Sequence, residues 1–153
     1  GLNTSMVYKT LDLSISAYGL FGQTVLNATA EYMTDPSRFP DLNAPHRMFR
    51  DSIMDDPTFS SYWVEDASFF RLQSVTLGYT FELEKVGISR LRIYATGENL
   101  FVLTNYTGLD PEVKIEEYNA AEGKMDPLSN PGIDRYNVYP KSRSLIVGVN
   151  VSF

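Results

Sequence analysis

The side chains that could do chemistry in this sequence are few and poorly grouped. Cysteine is absent and His46 is the single histidine. Thiolate nucleophiles, disulfides and thiolate zinc sites are therefore excluded together, and a His-based metal site or a Ser-His-Asp triad is hard to build. Carboxylates adjoin at Asp55-Asp56 and Glu65-Asp66. Adjacent side chains on an extended backbone point to opposite faces. Neither pair has the frame of a calcium loop or of a glycosidase acid pair, so both read as solvated acidic loop. No catalytic residue, metal site or cofactor is expected. Four tyrosines, Tyr106, Tyr118, Tyr136 and Tyr139, lie on or beside one acidic stretch. Aromatic faces stack on sugar rings and phenol hydroxyls add hydrogen bonds, which makes these four the candidate ligand contacts. For any one of them, packing within a loop is the simpler role.

The elements that must position these residues begin with the charge. The chain has 153 residues and a net charge of -6. Residues 29–66 carry eight acids and three bases, and residues 104–142 carry seven acids and four bases. These stretches hold net charges of -5 and -3, so the remainder is +2. They also contain all eight prolines. Both read as long, acidic, proline-punctuated loops with little regular structure, a length that is uncommon without a function. The acidic balance excludes a nucleic-acid surface, which needs clustered Lys and Arg. The sequence begins at Gly1 rather than Met, as a remnant of tag removal can, and the chain is expected to be a piece of a longer protein.

The other segments alternate with period two. Leu11, Leu13, Ile15 and Ala17 interleave with Asp12, Ser14, Ser16 and Tyr18. Val75, Leu77, Tyr79 and Phe81 face away from Ser74, Thr76, Gly78 and Thr80. Leu91, Ile93 and Ala95 alternate with Arg90, Arg92, Tyr94 and Thr96, and Leu145, Val147, Val149, Val151 and Phe153 form the cleanest stripe. An all-β chain follows, with strands over about 11–28, 67–82, 88–103 and 143–153. Short turns at 9–10 and 82–87 alternate with the long loops, 29–66 and 104–142. Antiparallel strands then collect the short turns at one end and the long loops at the other, the plan of an outer-membrane barrel. The 13% aromatic content suits a barrel's interfacial girdles. A soluble β-sandwich fits the alternation equally well.

Three segments carry a resemblance that separates these readings. The run from Trp63 through Val64-Glu65-Asp66-Ala67-Ser68-Phe69-Phe70-Arg71-Leu72 to Tyr79 resembles the penultimate-hairpin signature of the SusC/RagA family of TonB-dependent transporters. Arg92 to Phe101, followed by Thr107-Gly108-Leu109-Asp110-Pro111-Glu112-Val113, is similar to that family's next strand and loop. Gly132-Ile133-Asp134-Arg135, then Tyr139-Pro140-Lys141-Ser142-Arg143 and a last strand ending at Phe153, resembles its C-terminus. Ala67 departs from the pattern, standing where the family usually has Gly.

The resemblance implies an antiparallel transmembrane β-barrel segment, the last four to five strands of a 22-stranded barrel with two long extracellular loops. Residues before Tyr8 would complete an earlier strand, and the plug domain would lie outside this chain. It further implies import of nutrients, oligosaccharides first and peptides as the alternative, across the cell outer membrane. The implied partners are a SusD-like lipoprotein, the TonB complex through the missing N-terminal part, the barrel-assembly machinery reading Phe153, and outer-membrane lipid. Odd positions of the last strand should face lipid, and Arg90 and Arg92 the lumen. The Asn-X-Ser/Thr triplets at Asn27, Asn105 and Asn150 carry no glycosylation meaning in such a barrel.

Overall fold

The structure, a computed structural model, describes residues 1–41, 43–83, 87–113, 117–119, 124–126, 132–135 and 140–153. Its contacts divide the chain into two units, one of residues 1–20, 69–104 and 141–153, the other of residues 21–68 and 105–140.

The first unit is one antiparallel sheet. Its strands are β1 (Leu2–Tyr8), β2 (Leu11–Leu20), β5 (Phe69–Glu82), β6 (Arg90–Thr104) and β10 (Ser144–Ser152), in the order β1-β2-β5-β6-β10. β1 and β2 meet through the turn at Lys9-Thr10, where Lys9 takes a left-handed φ of 54°. Register turns the alternation of each strand into two continuous faces. One row reads Met6, Leu13, Leu77, Ala95, Val147 across five strands, and the next reads Tyr8, Leu11, Tyr79, Ile93, Val149. The opposite face carries Ser5, Ser14, Thr76, Thr96 and Ile146, flanked by Asn3, Ser16, Ser74, Glu98 and Ser144. Leu77, Tyr79, Ile93, Val147 and Val149 are all exposed, so this apolar face is uncovered.

The pairing slips at one level of the sheet, between β2 and β5 and again between β5 and β6, where Leu72 faces Phe101 and Ser74 faces Glu98. Ser74 faces Ser16 and Leu72 faces Ala17, leaving Gln73 as the extra residue of a bulge. The bulge moves β5 from odd to even apolar positions. Arg71 and Phe69 therefore join the polar side with Tyr18, while Leu72 and Phe70 pair with Phe101 and Leu103 on the apolar one.

The second unit holds β3 (Thr24–Asn27), β4 (Val64–Asp66) and β9 (Ile133–Asp134) in a small sheet of order β4-β3-β9, and the hairpin β7 (Glu117–Asn119) with β8 (Lys124–Asp126). It also holds α1 (Ala28–Met33), α2 (His46–Arg50) and single 3-10 turns at Pro36–Arg38 and Ser61–Trp63. Val25, Ala67 and Tyr106 form its core cluster, with Val113 packed against them.

Two expectations need correction. The strand expected over 11–28 stops at Leu20, because Gly22 adopts a φ of 76° and the following residues pair with β4 and β9. The stretch 29–66 is more ordered than expected. Asn27 accepts from the Ala30 amide at 2.9 Å and caps α1, and Asp35 accepts from the Ser37 amide to start the next turn. Helices of five and six residues are too short to leave a helical period in the sequence.

Candidate functional site

On the polar face of the sheet, the side chains make a chain of contacts that the glycines permit. Arg92 donates from Nε to Asp12 Oδ1 at 2.8 Å and from Nη2 to Oδ2 at 2.5 Å. These residues belong to β6 and β2, so the pair reaches across β5, passing over Gly78. A Cβ at Gly78 would lie 2.4 Å from Asp12 Oδ1 and 2.6 Å from Arg92 Nη2. The Arg92 guanidinium lies 4.8 Å from the centre of the Tyr94 ring. That ring lies over Gly148 on β10, where a Cβ would approach it to 2.4 Å. The Thr76 and Thr96 hydroxyls meet at 2.8 Å. Beyond the bulge, Tyr18 packs edge-on against Phe69, and Lys141 donates to the Tyr18 hydroxyl at 3.3 Å. This arrangement makes a polar wall, with no nucleophile–base pair in it.

In the second unit the polar groups converge on two acceptors, the half-buried Glu65 and the buried Asp134. Glu65 receives Arg47 Nη1 at 2.6 Å, the Thr107 amide at 2.9 Å, the Thr107 hydroxyl, and Asn27 Nδ2 at 3.2 Å. Burial works to raise its carboxyl, and hydrogen bonds from Arg47 and Thr107 more than offset that, holding it below the usual carboxylate value. Asp134, 2% exposed, accepts from the Tyr106 hydroxyl at 2.5 Å and from Thr29 at 3.1 Å. Burial first, and then Asp134, push the Tyr106 phenol well above its ordinary value. Asp51, held far below its usual value by hydrogen bonds from Arg50 and Tyr62, marks a more exposed cluster on α2. A cavity of about 350 Å³ opens between α1, the Pro45–Arg50 segment and residues 107–109. A second, open hollow is lined by residues between Asp51 and Trp63, Asp55 and Asp56 among them.

The residues singled out in the sequence fall in different places. Tyr106 is buried with its hydroxyl on Asp134, so its ring faces the core. Tyr118 lies on β7, and Tyr136 and Tyr139 lie outside the described residues. Phe153 follows β10 and is 91% exposed, in phase with the apolar stripe. The Glu65-Asp66 pair diverges, Glu65 going to Arg47 and Thr107 while Asp66 accepts from the Ser68 amide at 2.8 Å. His46 is exposed at the start of α2. Among the described residues, no three His, Asp or Glu side chains are placed to hold a metal. Asp12, Asn27 and Asp134 were not legible as partners, because each pairs with a residue 38 to 105 positions away.

No family model matches the chain. Curated proteins do, over its whole length. It is 30% identical to the TonB-dependent receptor SusC of Bacteroides thetaiotaomicron and 28% identical to the TonB-dependent receptor P3 of Formosa agariphila, with all of this chain aligned in both cases. The fold matches a solved structure of the RagAB peptide transporter with a TM-score of 0.70, at 23% identity over 96% of the chain. The RagAB peptide importer in its open-open state matches at 0.71 and 22%. The chain belongs to the SusC/RagA family of TonB-dependent receptors. It spans 15% to 16% of the length of the relatives SusC and P3, and 16% of the RagAB chains, and it is a segment of the barrel.

The family motif can then be placed on the structure. Its Trp63–Tyr79 run starts at the last residue of a 3-10 turn and covers β4 and most of β5. Ala67, where SusC/RagA sequences usually have Gly, is fully buried and is not among the residues with positive φ. Its methyl fills the core beside Val25 and Tyr106 without backbone strain.

Proposed function

We propose that this chain forms part of the wall of an outer-membrane nutrient importer driven by TonB. The observation that carries the reading is the sheet with two unlike faces. Its apolar face is uncovered across five strands, as lipid contact requires, and its opposite face carries the Asp12–Arg92 pair, which a barrel tolerates only toward its lumen. The strands have the reach. β5 has 14 residues, about 45 Å at roughly 3.3 Å per residue, which at a tilt of about 45° covers a hydrocarbon core of about 30 Å.

In this reading the short turns are periplasmic, and residues 21–68 and 105–140 form extracellular structure facing cargo or a SusD-like lipoprotein that lids the barrel. Energy from TonB reaches the plug, supplied by the rest of the protein. Phe153 is the assembly signal read by the barrel-insertion machinery. Its place on the apolar stripe supports that role. Oligosaccharide is the first cargo class and peptide the second.

The test uses the full-length receptor in its native membrane. It fractionates with the outer membrane, and uptake of its cargo stops when TonB is deleted. Recovery as a detergent-free soluble protein, or uptake that survives loss of TonB, would overturn the reading. A binding screen of glycans against peptides assigns the cargo.

A further inference from the structure

We propose that the Tyr94 ring, seated over Gly148, is the key that sets the register of β10 against β6. This concerns the barrel wall itself and holds whatever the cargo. Alternation alone does not set that register. Val147, Val149 and Val151 face Ala95, Ile93 and Leu91, with Leu145 next on the same stripe. A slip of two residues in either direction keeps every side chain on its face and again sets apolar residues opposite apolar ones.

The connection does not set it either. β1 meets β2 through the turn at Lys9-Thr10 and β5 meets β6 through residues 83–89, whereas β10 reaches β6 only through residues 105–143. A tight turn pins the register of its hairpin, and a connection as long as the last leaves it open. Two further contacts tie β10 to its surroundings. Ser89 donates from its amide and hydroxyl to the Ser152 carbonyl, and Asn99 Nδ2 donates to the Ser142 carbonyl at 3.1 Å. Both acceptors are main-chain oxygens, which carry no side-chain identity.

The polar face of β10 does distinguish one register from another. It reads Ser144, Ile146, Gly148, Asn150 and Ser152, and Gly148 stands opposite Tyr94. A Cβ at Gly148 would lie 2.4 Å from Tyr94 Cζ and 2.4 Å from its hydroxyl oxygen. The slipped registers put Ile146 or Asn150 in that place, and either side chain drives the ring off the strand. The ring has no seat on its other side. Gly78, its neighbour on β5, is covered by Asp12 and Arg92, and the Arg92 guanidinium lies 4.8 Å from the ring centre. A two-residue slip would move β10 by about 6.6 Å along β6, at roughly 3.3 Å per residue. It would carry Phe153 and the apolar stripe the same distance along the wall and alter the stagger with which a barrel closes.

The experiment reads the register directly in the full-length receptor in its native membrane. Ile93→Cys is combined in turn with Val147→Cys, Val149→Cys or Val151→Cys, and disulfides are scored as thiols that escape a maleimide polymer after oxidation. Residues directly opposite lie within disulfide reach and those two positions along do not. The parent should join 93 to 149. Tyr94→Ala should raise the share joined to 147 or 151 by roughly twofold to tenfold, the worth of one aromatic contact. Tyr94→Phe keeps the ring and should keep the parent pattern. Gly148→Ala should also raise the slipped share, but add nothing in a Tyr94→Ala background, where no ring remains to displace. If Tyr94→Ala does not reach the membrane, Gly148→Ala with and without Tyr94→Phe asks the same question. Parent pairing in both Tyr94→Ala and Gly148→Ala would overturn the key, even if both lower stability. So would slippage in Tyr94→Phe, or a Gly148→Ala effect that persists once the ring is gone.

Discussion

The sheet and the loop-derived unit are built on different physical terms. In the sheet, side-chain direction follows from strand alternation, and register only aligns what each strand already dictates. In the other unit, short elements are tied by a few half-buried or buried acceptors drawn from distant parts of the chain. Glu65 alone gathers Arg47, Thr107 and Asn27. The sheet is thus robust to many polar substitutions on its polar face and intolerant of charge on its apolar face. The second unit should fail at single acceptors.

The largest effect expected from this difference is on the apolar face. Val147→Arg should cost about 2–4 kcal/mol if its row lies near the bilayer midplane, read as lost outer-membrane assembly and lost heat-modifiable migration of the full-length receptor. Ser14→Arg on the polar face should change stability by no more than about 0.5 kcal/mol. Similar effects at the two positions would erase the distinction between faces.

Next in size is Glu65→Ala. It strips the acceptor from several half-buried donors and should cost about 2–3 kcal/mol, seen as faster hydrogen exchange at Thr107 with the sheet amides unchanged. The same contact gives a pH dependence. The folded-state carboxyl lies below the ordinary glutamate value of 4.5, so its stabilisation is complete above that pH. It is then lost as pH falls from there through the lower folded-state value. Exchange protection at Thr107 should therefore fall on acidification below that point in the parent, and lose this step in Glu65→Ala.

Tyr106→Phe removes the hydroxyl that Asp134 accepts, leaving Thr29 as a donor, and should cost about 1–2 kcal/mol. The readout is thermal stability together with exchange at β9. The smallest effect belongs to Gly78→Ala. Its methyl displaces the ends of Asp12 and Arg92, and a half-exposed pair loses about 1 kcal/mol or less. A change in cargo transport larger than this stability loss would show that the pair acts on passage through the lumen.

The sheet was largely legible because alternation is local. Leu145, Val147, Val149 and Val151 could be assigned to one face from the order of residues alone, and Arg92 to the opposite one likewise. Its partner could not, since Asp12 meets it only through two intervening register choices and the gap left by Gly78. The bulge at Gln73 was also hidden, and with it the move of Arg71 to the polar side. In the second unit, Tyr106 illustrates the limit. From sequence it was a candidate platform for a sugar, and its burial against Val25 and Ala67 depends on residues some 40 to 80 positions away.

The order of amino acids by itself determined the strands, their two faces and the segregation of acid into two long connections, because each depends on neighbours one or two residues apart. Which carboxylates became acceptors, and where a cavity with two arginines opened, only the tertiary structure decided. Those features depend on distances between segments far apart in the chain, and in the absence of periodicity nothing local encodes them.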